Sequence, residues 1–380
     1  MSERSHDSLT RRGFLGAAGG AMVASAARPL AAQVPEFPLP EPPGKKLGWA
    51  VVGLGRLAVN QILPAVHRCR YSKVTALVSG RPEKAQLLAR VHGVDPKKIY
   101  SYDNYDEMAN DPAIDVVYVV LPNSMHAEYT IRALKAGKHV LCEKPMANTP
   151  RECEAMIAAA KEAGRKLMIA YRLRYEPHNR ELIRIAQDEK EMGPLRLVHA
   201  ETGFNIGDPG QWRLRKAMAG GGSLMDIGIY ALQAARYLTG EEPVEVQAMI
   251  ASAAGDPRFV EVEENVTFEL RFPSGVLANC ASSYGAGLNR FRVFKPEGSA
   301  ELEPALNYTG LRMRVLRGNA IEERRLPVVD HFGAEMDHFS ECIMKDTQPL
   351  TPGEEGLRDL RIMMAIYEAA ASGKSVKLGA

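Results

Sequence analysis

Trp49-Ala50-Val51-Val52-Gly53-Leu54-Gly55-Arg56-Leu57-Ala58 is the stretch that decides the fold of this chain. Its apolar start predicts a buried strand, and the glycine turn that follows predicts the entry to a helix. The first glycine, Gly53, permits a tight turn, and the second, Gly55, lets the backbone approach a pyrophosphate. The small Ala58 lets helix and strand pack closely. Strand, turn and helix together predict a dinucleotide-binding site that includes Arg56 and Leu57.

Strand-like and helix-like runs alternate from Leu47 to residue 172. The predicted strands are Trp49–Val52, Val74–Val78, Val116–Val120, His139–Leu141 and Leu167–Ala170. The predicted helices between them are Ala58–Cys69, Pro82–His92, Ala127–Lys135 and Glu152–Ala163. Such alternation builds a doubly wound parallel sheet, so residues 47–172 are predicted to form a Rossmann domain.

The pattern changes beyond residue 173. Strands are predicted at Val244–Ala251, Asn265–Phe272, Val276–Ser283 and Phe291–Phe294. Helices are predicted at His178–Ala186, Leu224–Tyr237, Glu335–Met344 and Glu354–Ala371. Residues 173–380 are therefore expected to form an open, mostly antiparallel sheet domain that binds the substrate. The predicted fold class is α/β plus α+β.

The end of the second strand favours NADP over NAD. An acidic residue there would bind the ribose 2′-hydroxyl of NAD and repel a 2′-phosphate. This chain has Ser79-Gly80-Arg81 instead, with Lys84 one turn later. The serine can donate to a phosphate and the two cations can neutralise it. Arg56, inside the glycine turn, could stack on the adenine or add to this cluster. The alternative is that Arg81 and Lys84 are solvated residues at a helix start.

Two further segments predict a proton-transfer site. Glu143-Lys144-Pro145 follows a parallel strand, at the edge where such sheets bind ligands. Downstream of three glycines, Ser223 is predicted to cap a helix on which Asp226 and Tyr230 share one face. An ammonium beside a phenol favours the phenolate, so Lys144 and Tyr230 are candidates for acid/base chemistry. The alternatives are a surface-loop lysine, and a solvent-facing Asp226 with Tyr230 in the core.

The N-terminal segments suggest export. Thr10-Arg11-Arg12-Gly13-Phe14-Leu15 precedes an apolar run to Ala27, which predicts a twin-arginine signal over residues 1–32 and a periplasmic protein exported folded. The run is too short to span a bilayer, although an uncleaved anchor is the alternative. Residues 33–46 carry five prolines and predict an extended arm, or a disordered linker.

Composition narrows the classes of partner. Without residues 1–32, which hold four arginines and two carboxylates, the chain has 44 basic and 44 acidic residues. A neutral mature chain argues against nucleic-acid and membrane-surface roles. The five cysteines lack CxxC spacing and are expected to be buried thiols, and no metal-ligand cluster is visible in the sequence.

From Leu47 onward the chain resembles the glucose–fructose oxidoreductase / inositol dehydrogenase / rhizopine catabolism (Gfo/Idh/MocA) family. The resemblance rests on the glycine turn and on Leu121-Pro122-Asn123-Ser124-Met125-His126, Glu143-Lys144-Pro145, Tyr171-Arg172, Gln211-Trp212-Arg213 and Asp226 with Tyr230. Tyrosine at position 230, where most of the family has histidine, resembles the periplasmic glucose–fructose oxidoreductase branch.

The resemblance implies a role for each matching residue. Lys144 would hold the reacting hydroxyl and favour the ionised form of Tyr230, the acid/base, while Asp226 would orient the sugar. Binding of the cofactor would involve Leu121, Asn123, His126, Glu143, Lys144, Arg172, Trp212 and Arg213. His126 has the alternative of an ordinary helix-start residue. The arm would wrap a neighbouring subunit of a homo-oligomer, a dimer or tetramer, whose interface is the open sheet.

These features favour an NADP-dependent sugar oxidoreductase with tightly bound cofactor. It would oxidise an aldose at C1 to its lactone and then reduce fructose or another aldose to the alditol. The alternatives are a sugar dehydrogenase with exchangeable NADP, a nicotinamide-dependent glycosidase, and a non-catalytic sugar sensor. The presence of Lys144, Asp226 and Tyr230 argues against the sensor.

Overall fold

The computed structural model describes residues 45–379. Its first domain is built on a six-stranded parallel sheet in the order β3-β2-β1-β4-β5-β6. Its strands are β1 (Leu47–Val52), β2 (Ser72–Val78), β3 (Ile99–Tyr100), β4 (Val116–Val119), β5 (His139–Glu143) and β6 (Leu167–Ala170). Every residue of β1 is buried, as expected of a central parallel strand covered on both faces. The predicted signal peptide and nearly all of the predicted arm lie outside the described residues.

Helices connect these strands. They are a π-wound turn at Ala58–Ile62 that continues as α1 (Leu63–Val66), followed by α2 (Pro82–His92), α3 (Asn123–Lys135) and α4 (Pro150–Ala163). The first helix was expected to reach Cys69 and instead ends three residues earlier. Helix α4 starts two residues before the predicted Glu152, because Thr149 and Glu152 form a capping box that satisfies the first free backbone N–H groups.

The second domain contains a nine-stranded sheet in the order β14-β13-β12-β11-β7-β10-β9-β8-β15, in which only the β7–β10 pair is parallel. Its strands are β7 (Leu197–Gly203), β8 (Glu245–Ala251), β9 (Asn265–Arg271), β10 (Leu277–Ser283), β11 (Leu288–Lys295), β12 (Gly298–Leu302), β13 (Met313–Arg317), β14 (Ala320–Arg324) and β15 (Val376–Lys377). The two sheets together confirm the predicted fold class.

The helices of the second part of the chain cover this sheet and also return to the first domain. They are α5 (Pro177–Gln187), α6 (Lys216–Ala219), α7 (Ile229–Thr239), α8 (His331–Met344) and α9 (Gly353–Ser372). Helix α7 packs on β7 and β10, and α9 packs on β8. Helix α8 inserts Phe332, Met336 and Phe339 into the core around Trp49, whose indole N–H donates to Ser340 Oγ at 3.2 Å. The late part of the sequence therefore helps to fix the first strand.

Three further properties bear on the site. All five cysteines are buried and free of disulfides, as predicted. No helix within residues 45–379 is long and apolar enough to cross a membrane. Within the same range, no group of three or more His, Cys, Asp or Glu side chains is arranged to hold a metal ion.

Candidate active site

A cavity of about 1590 Å³ lies along the carboxyl edge of the parallel sheet, the edge where open α/β sheets bind ligands. Its volume exceeds the roughly 300–1,000 Å³ typical of a single small-molecule pocket, which leaves room for a cofactor and a substrate together. The predicted residues that line it are Gly53, Gly55, Arg56, Leu57, Ser79, Gly80, Arg81, Lys84, Leu121, Asn123, Glu143, Lys144, Arg172, Trp212, Arg213, Asp226 and Tyr230. Both domains therefore contribute to one site.

The glycine turn has the geometry that a dinucleotide needs. Gly53 has φ of +90°, and a Cβ built on it would lie 2.2 Å from the Val120 carbonyl oxygen, so no larger residue fits. A Cβ built on Gly55 would meet no atom within 4 Å, and this backbone borders the open cavity. The buried Ala58 does not line the cavity and packs in the core behind the turn. The turn thus leaves space for a pyrophosphate beside the backbone.

Three cations border the cavity, one in the turn after β1 and two after β2. Arg56, Arg81 and Lys84 line the cavity, and among residues 45–379 none of them forms an ion pair with a carboxylate. Ser79 Oγ accepts a hydrogen bond from the Arg81 backbone N–H at 3.0 Å, which fixes the hydroxyl at the cavity wall. Unpaired cations and a fixed hydroxyl suit a phosphate group. These residues and the glycine turn together fit a dinucleotide cofactor.

Lys144 lies just after β5 and contacts the second domain. Its Nζ donates to the backbone oxygen of Asp226 at 2.5 Å and to Asp226 Oδ1 at 3.2 Å. Burial opposes its charge, but Asp226, Tyr230 and Glu143 outweigh that effect and raise the pKa of Lys144 above its ordinary value. An ammonium has three N–H donors, so one remains for a bound ligand.

Asp226, which was expected to orient the sugar, contacts three protein side chains. Besides Lys144, its carboxylate contacts Arg213 Nε at 3.0 Å and accepts a hydrogen bond from the Tyr284 hydroxyl at 3.0 Å. Although burial opposes ionisation, Arg213 and Lys144 lower the pKa of Asp226 to about 2. The clearest role of this carboxylate is to orient Lys144; a contact with a sugar hydroxyl stays a prediction.

Tyr230 lies beside Lys144, as its helical spacing from Asp226 predicted. The lysine Nζ is 5.0 Å from the centre of the tyrosine ring. The side chain is only 6% exposed, yet its hydroxyl has no hydrogen-bond partner among residues 45–379. A buried hydroxyl at a cavity wall without a protein partner is available to a bound ligand. The ammonium and the phenol ring therefore lie side by side at the wall of the same cavity, where both border a bound ligand.

Ser223 does not cap the helix that carries Asp226 and Tyr230, contrary to the prediction. Its hydroxyl contacts Ser282 Oγ at 3.0 Å, because the residue already has helical backbone angles and a π-wound turn, Leu224–Gly228, precedes α7. The cap is supplied from a distance by Glu263, whose carboxylate accepts from the backbone N–H groups of Gly222 at 2.9 Å and Leu224 at 3.0 Å. A carboxylate at this end is also favoured by the helix dipole.

His126 is not brought to the cavity wall. The ring is 1% exposed, and its nitrogens lie 2.8 Å from the carbonyl oxygens of Leu121 and Pro145. It therefore joins the two loops that carry Leu121 and Lys144 instead of touching a ligand. Asn123 does line the cavity, and its amide donates to the Ala219 carbonyl at 2.9 Å, which ties the first domain to α6.

Several residues of the site were not predicted from the sequence. Tyr102, Phe204, Asp208 and Tyr308 line the cavity, and Tyr284 and Glu263 hold Asp226 and its helix. Tyr308 lies in a loop with no motif, so no local pattern could have found it. Tyr284 directly follows a correctly predicted strand end, which was a usable signal.

Comparisons with known proteins agree with this geometry. A family model described as "Oxidoreductase family, NAD-binding Rossmann fold" matches residues 47–171. A second, the GFO/IDH/MocA C-terminal domain, matches residues 181–301. The chain is 33% identical to the D-xylose 1-dehydrogenase [NADP(+)] of Haloarcula marismortui, over 87% of this chain and 92% of that protein.

Solved structures give the same result. The aldose-aldose oxidoreductase from Caulobacter crescentus, complexed with glycerol, superposes with a TM-score of 0.86 at 51% identity, covering 88% of this chain and all of that one. A 3-ketoreductase from Actinomadura kijaniata, in complex with NADP and TDP-benzene, has a TM-score of 0.77 at 26% identity, covering 86% and 98% of the two chains.

Proposed function

Because the chain belongs to the Gfo/Idh/MocA oxidoreductase family, we propose that it is an NADP-dependent sugar oxidoreductase that keeps its cofactor bound. It oxidises an aldose at C1 to the lactone and then reduces a second sugar, fructose or another aldose, to the alditol. The observation that carries the proposal is the meeting of the Lys144 ammonium and the Tyr230 phenol in the cavity that also contains the glycine turn. The sugar class is supported by the 51%-identical aldose-aldose oxidoreductase.

The protein side chains supply the proton chemistry. The remaining N–H of Lys144 holds the C1 oxygen of the first sugar, and Tyr230 accepts the hydroxyl proton from that oxygen. A dinucleotide held by the glycine turn and by Ser79, Arg81 and Lys84 would supply the hydride acceptor for the first sugar and the hydride donor for the second. Tyr230 then gives the proton to the carbonyl oxygen of that sugar, and Lys144 stabilises the negative charge that develops there. One acid/base thus serves both half-reactions.

We expect Ser79→Asp to shift cofactor preference toward NAD. The carboxylate would repel a 2′-phosphate beside Arg81 and Lys84 and would accept from the ribose hydroxyls. A charged hydrogen bond is worth about 1.5–3 kcal/mol, so the ratio of NADP to NAD affinity should fall by about 10–100-fold. Each purified protein is equilibrated with an equimolar excess of NADP and NAD, and the dinucleotide that it retains is identified after denaturation, which measures the ratio. Ser79→Ala is the matched control and should change it far less. An unaltered ratio in Ser79→Asp would place the phosphate elsewhere.

Purified enzyme is expected to retain close to one NADP(H) per chain. Export of a folded protein, proposed from the twin-arginine motif at residues 10–15, removes it from the cytoplasmic cofactor pool, so turnover there requires a retained cofactor. The test incubates desalted enzyme with glucose and fructose without added NADP and measures lactone and alditol. Equal amounts of both products support the proposal. Folded protein that makes both only with added NADP would instead be a dehydrogenase with exchangeable cofactor.

A further inference from the structure

Arg172 is fixed between two tyrosine rings. Its guanidinium carbon is 5.2 Å from the centre of the Tyr230 ring and 4.8 Å from that of Tyr308. We propose that Arg172 is a positioning residue that stabilises the phenolate form of Tyr230, as the second cation beside that ring. The proposal rests on the proposed function, in which Tyr230 is the acid/base, and assigns to Arg172 a role beyond covering the cofactor.

The guanidinium is held without a counter-ion. The side chain is 7% exposed, its Nη2 donates to the Leu306 carbonyl at 2.7 Å, and its Nη1 lies 3.4 Å from His331 Nδ1. Burial and Arg172 itself lower the pKa of His331 to about 4, so the imidazole is neutral at physiological pH and accepts this bond. Among the described residues, no carboxylate forms an ion pair with Arg172. Its positive charge is therefore not cancelled locally.

Lys144 differs from Arg172 in this respect. Two of its N–H donors are committed to Asp226, a carboxylate that it shares with Arg213. Two buried carboxyls lie nearby, but among the described residues neither forms an ion pair with Arg172. Burial raises the pKa of Glu143 in spite of the Lys144 ammonium, and burial together with Glu143 raises that of Glu335 well above its ordinary value. An anion on Tyr230 would therefore lie beside an arginine charge with which no carboxylate is paired.

The other groups around Tyr230 do not supply an unpaired positive charge beside its ring. Its ring is faced by Lys144 after β5 and Arg172 after β6. Tyr118 on β4 and Tyr308 in the loop after β12 are near enough for Tyr230 to raise their pKa values, although burial is the larger cause, and Asp226 lies on the preceding turn of its own helix. The two other phenols are neutral and Asp226 opposes an anion. An isolated buried charge is costly, so forming the phenolate relieves the cost of burying Arg172. A positive charge at about 4–6 Å typically lowers the pKa of an acid by about 1–3, because it stabilises the ionised form.

The test compares Arg172→Gln and Arg172→Met, which remove the charge, with Arg172→Lys, which keeps it. The fraction of phenolate is read from the tyrosinate absorbance of each protein minus that of its Tyr230→Phe counterpart across pH. The rate of the first half-reaction is measured by single turnover with glucose at the same pH values. We expect both midpoints to rise by about 1–3 pH units in the charge-removing variants and to stay near wild type in Arg172→Lys.

Arg174→Gln is the matched control, because it removes a guanidinium that lies 4.1 Å from the Tyr237 ring centre and does not line the large cavity, so its midpoints should match wild type. Circular dichroism and NADP content establish that each variant is folded. Folded charge-removing variants with wild-type midpoints, whatever their rates, would overturn the proposal and leave Arg172 a packing residue. The proposed function fails separately if wild-type enzyme oxidises no sugar, because the absorbance titration needs no turnover.

Discussion

Tyr230→Phe is expected to lower the turnover of both half-reactions by about 10²–10⁴-fold, the usual contribution of a positioned proton-transfer group. The substitution keeps the ring and its packing on α7 and removes only the hydroxyl, which has no protein partner within residues 45–379. The protein should therefore stay folded and keep its NADP. Lactone and alditol formation are measured separately, since one residue is proposed to serve both directions.

A matched control lies on the same helix. Tyr237 is also largely buried, and its hydroxyl likewise lacks a partner, but it does not line the large cavity. Tyr237→Phe makes the same chemical change there and should leave turnover near the wild-type value. Near-normal rates of either half-reaction in Tyr230→Phe would show that another group moves the proton in that direction.

Lys144→Met is expected to lower turnover by about 10²–10³-fold, the typical cost of removing a donor that stabilises a developing oxyanion. Methionine retains the length of the side chain but not the N–H groups that hold Asp226 and the substrate oxygen. Because Asp226 keeps Arg213 and Tyr284 as partners, the helix that carries Tyr230 should remain in place. The rate constant of hydride transfer is obtained by single-turnover absorbance of the bound nicotinamide.

Lys138→Met provides the comparison for stability. Lys138 is another buried lysine, and it lies just before β5 and away from the cavity. Its Nζ donates to the Asp111 carbonyl oxygen at a distance of 2.8 Å. Its loss should lower the melting temperature with little effect on the single-turnover rate. If Lys144→Met lost stability to the same degree but kept its rate, Lys144 would be a structural bridge between the domains and not a participant in the chemistry.

The sequence predicted those parts of the site that depend on local chemistry. The turn around Gly53 and Gly55 needs glycine for reasons that neighbouring residues alone reveal, and the spacing of Asp226 and Tyr230 is fixed by the helix. Lys144 was placed correctly because parallel strands end at the same edge of a sheet. Each of these inferences uses contacts within a few residues or a rule of topology.

The missed parts depend on contacts between distant segments. Ser223 has the residue type of a helix cap, yet Glu263, forty residues away in sequence, occupies that role because the second sheet brings it there. His126 looked like a ligand of the cofactor, but two backbone carbonyls surround its ring. The two-residue strands β3 and β15 carry no periodic pattern, and only pairing with a longer neighbour defines them.

Gly221, just before the helix that carries Tyr230, restricts which residues relatives of this chain can have at two positions. A Cβ at position 221 would lie 2.1 Å from the Tyr367 hydroxyl, and that hydroxyl donates to Glu263 at 2.9 Å. A residue larger than glycine at position 221 therefore requires a residue shorter than tyrosine at position 367 and a shift of Met225, whose Cγ would lie 2.9 Å from the same Cβ. In an alignment of relatives, a larger residue at position 221 is expected only together with a shorter one at position 367, whereas a shorter residue at 367 is compatible with glycine at 221.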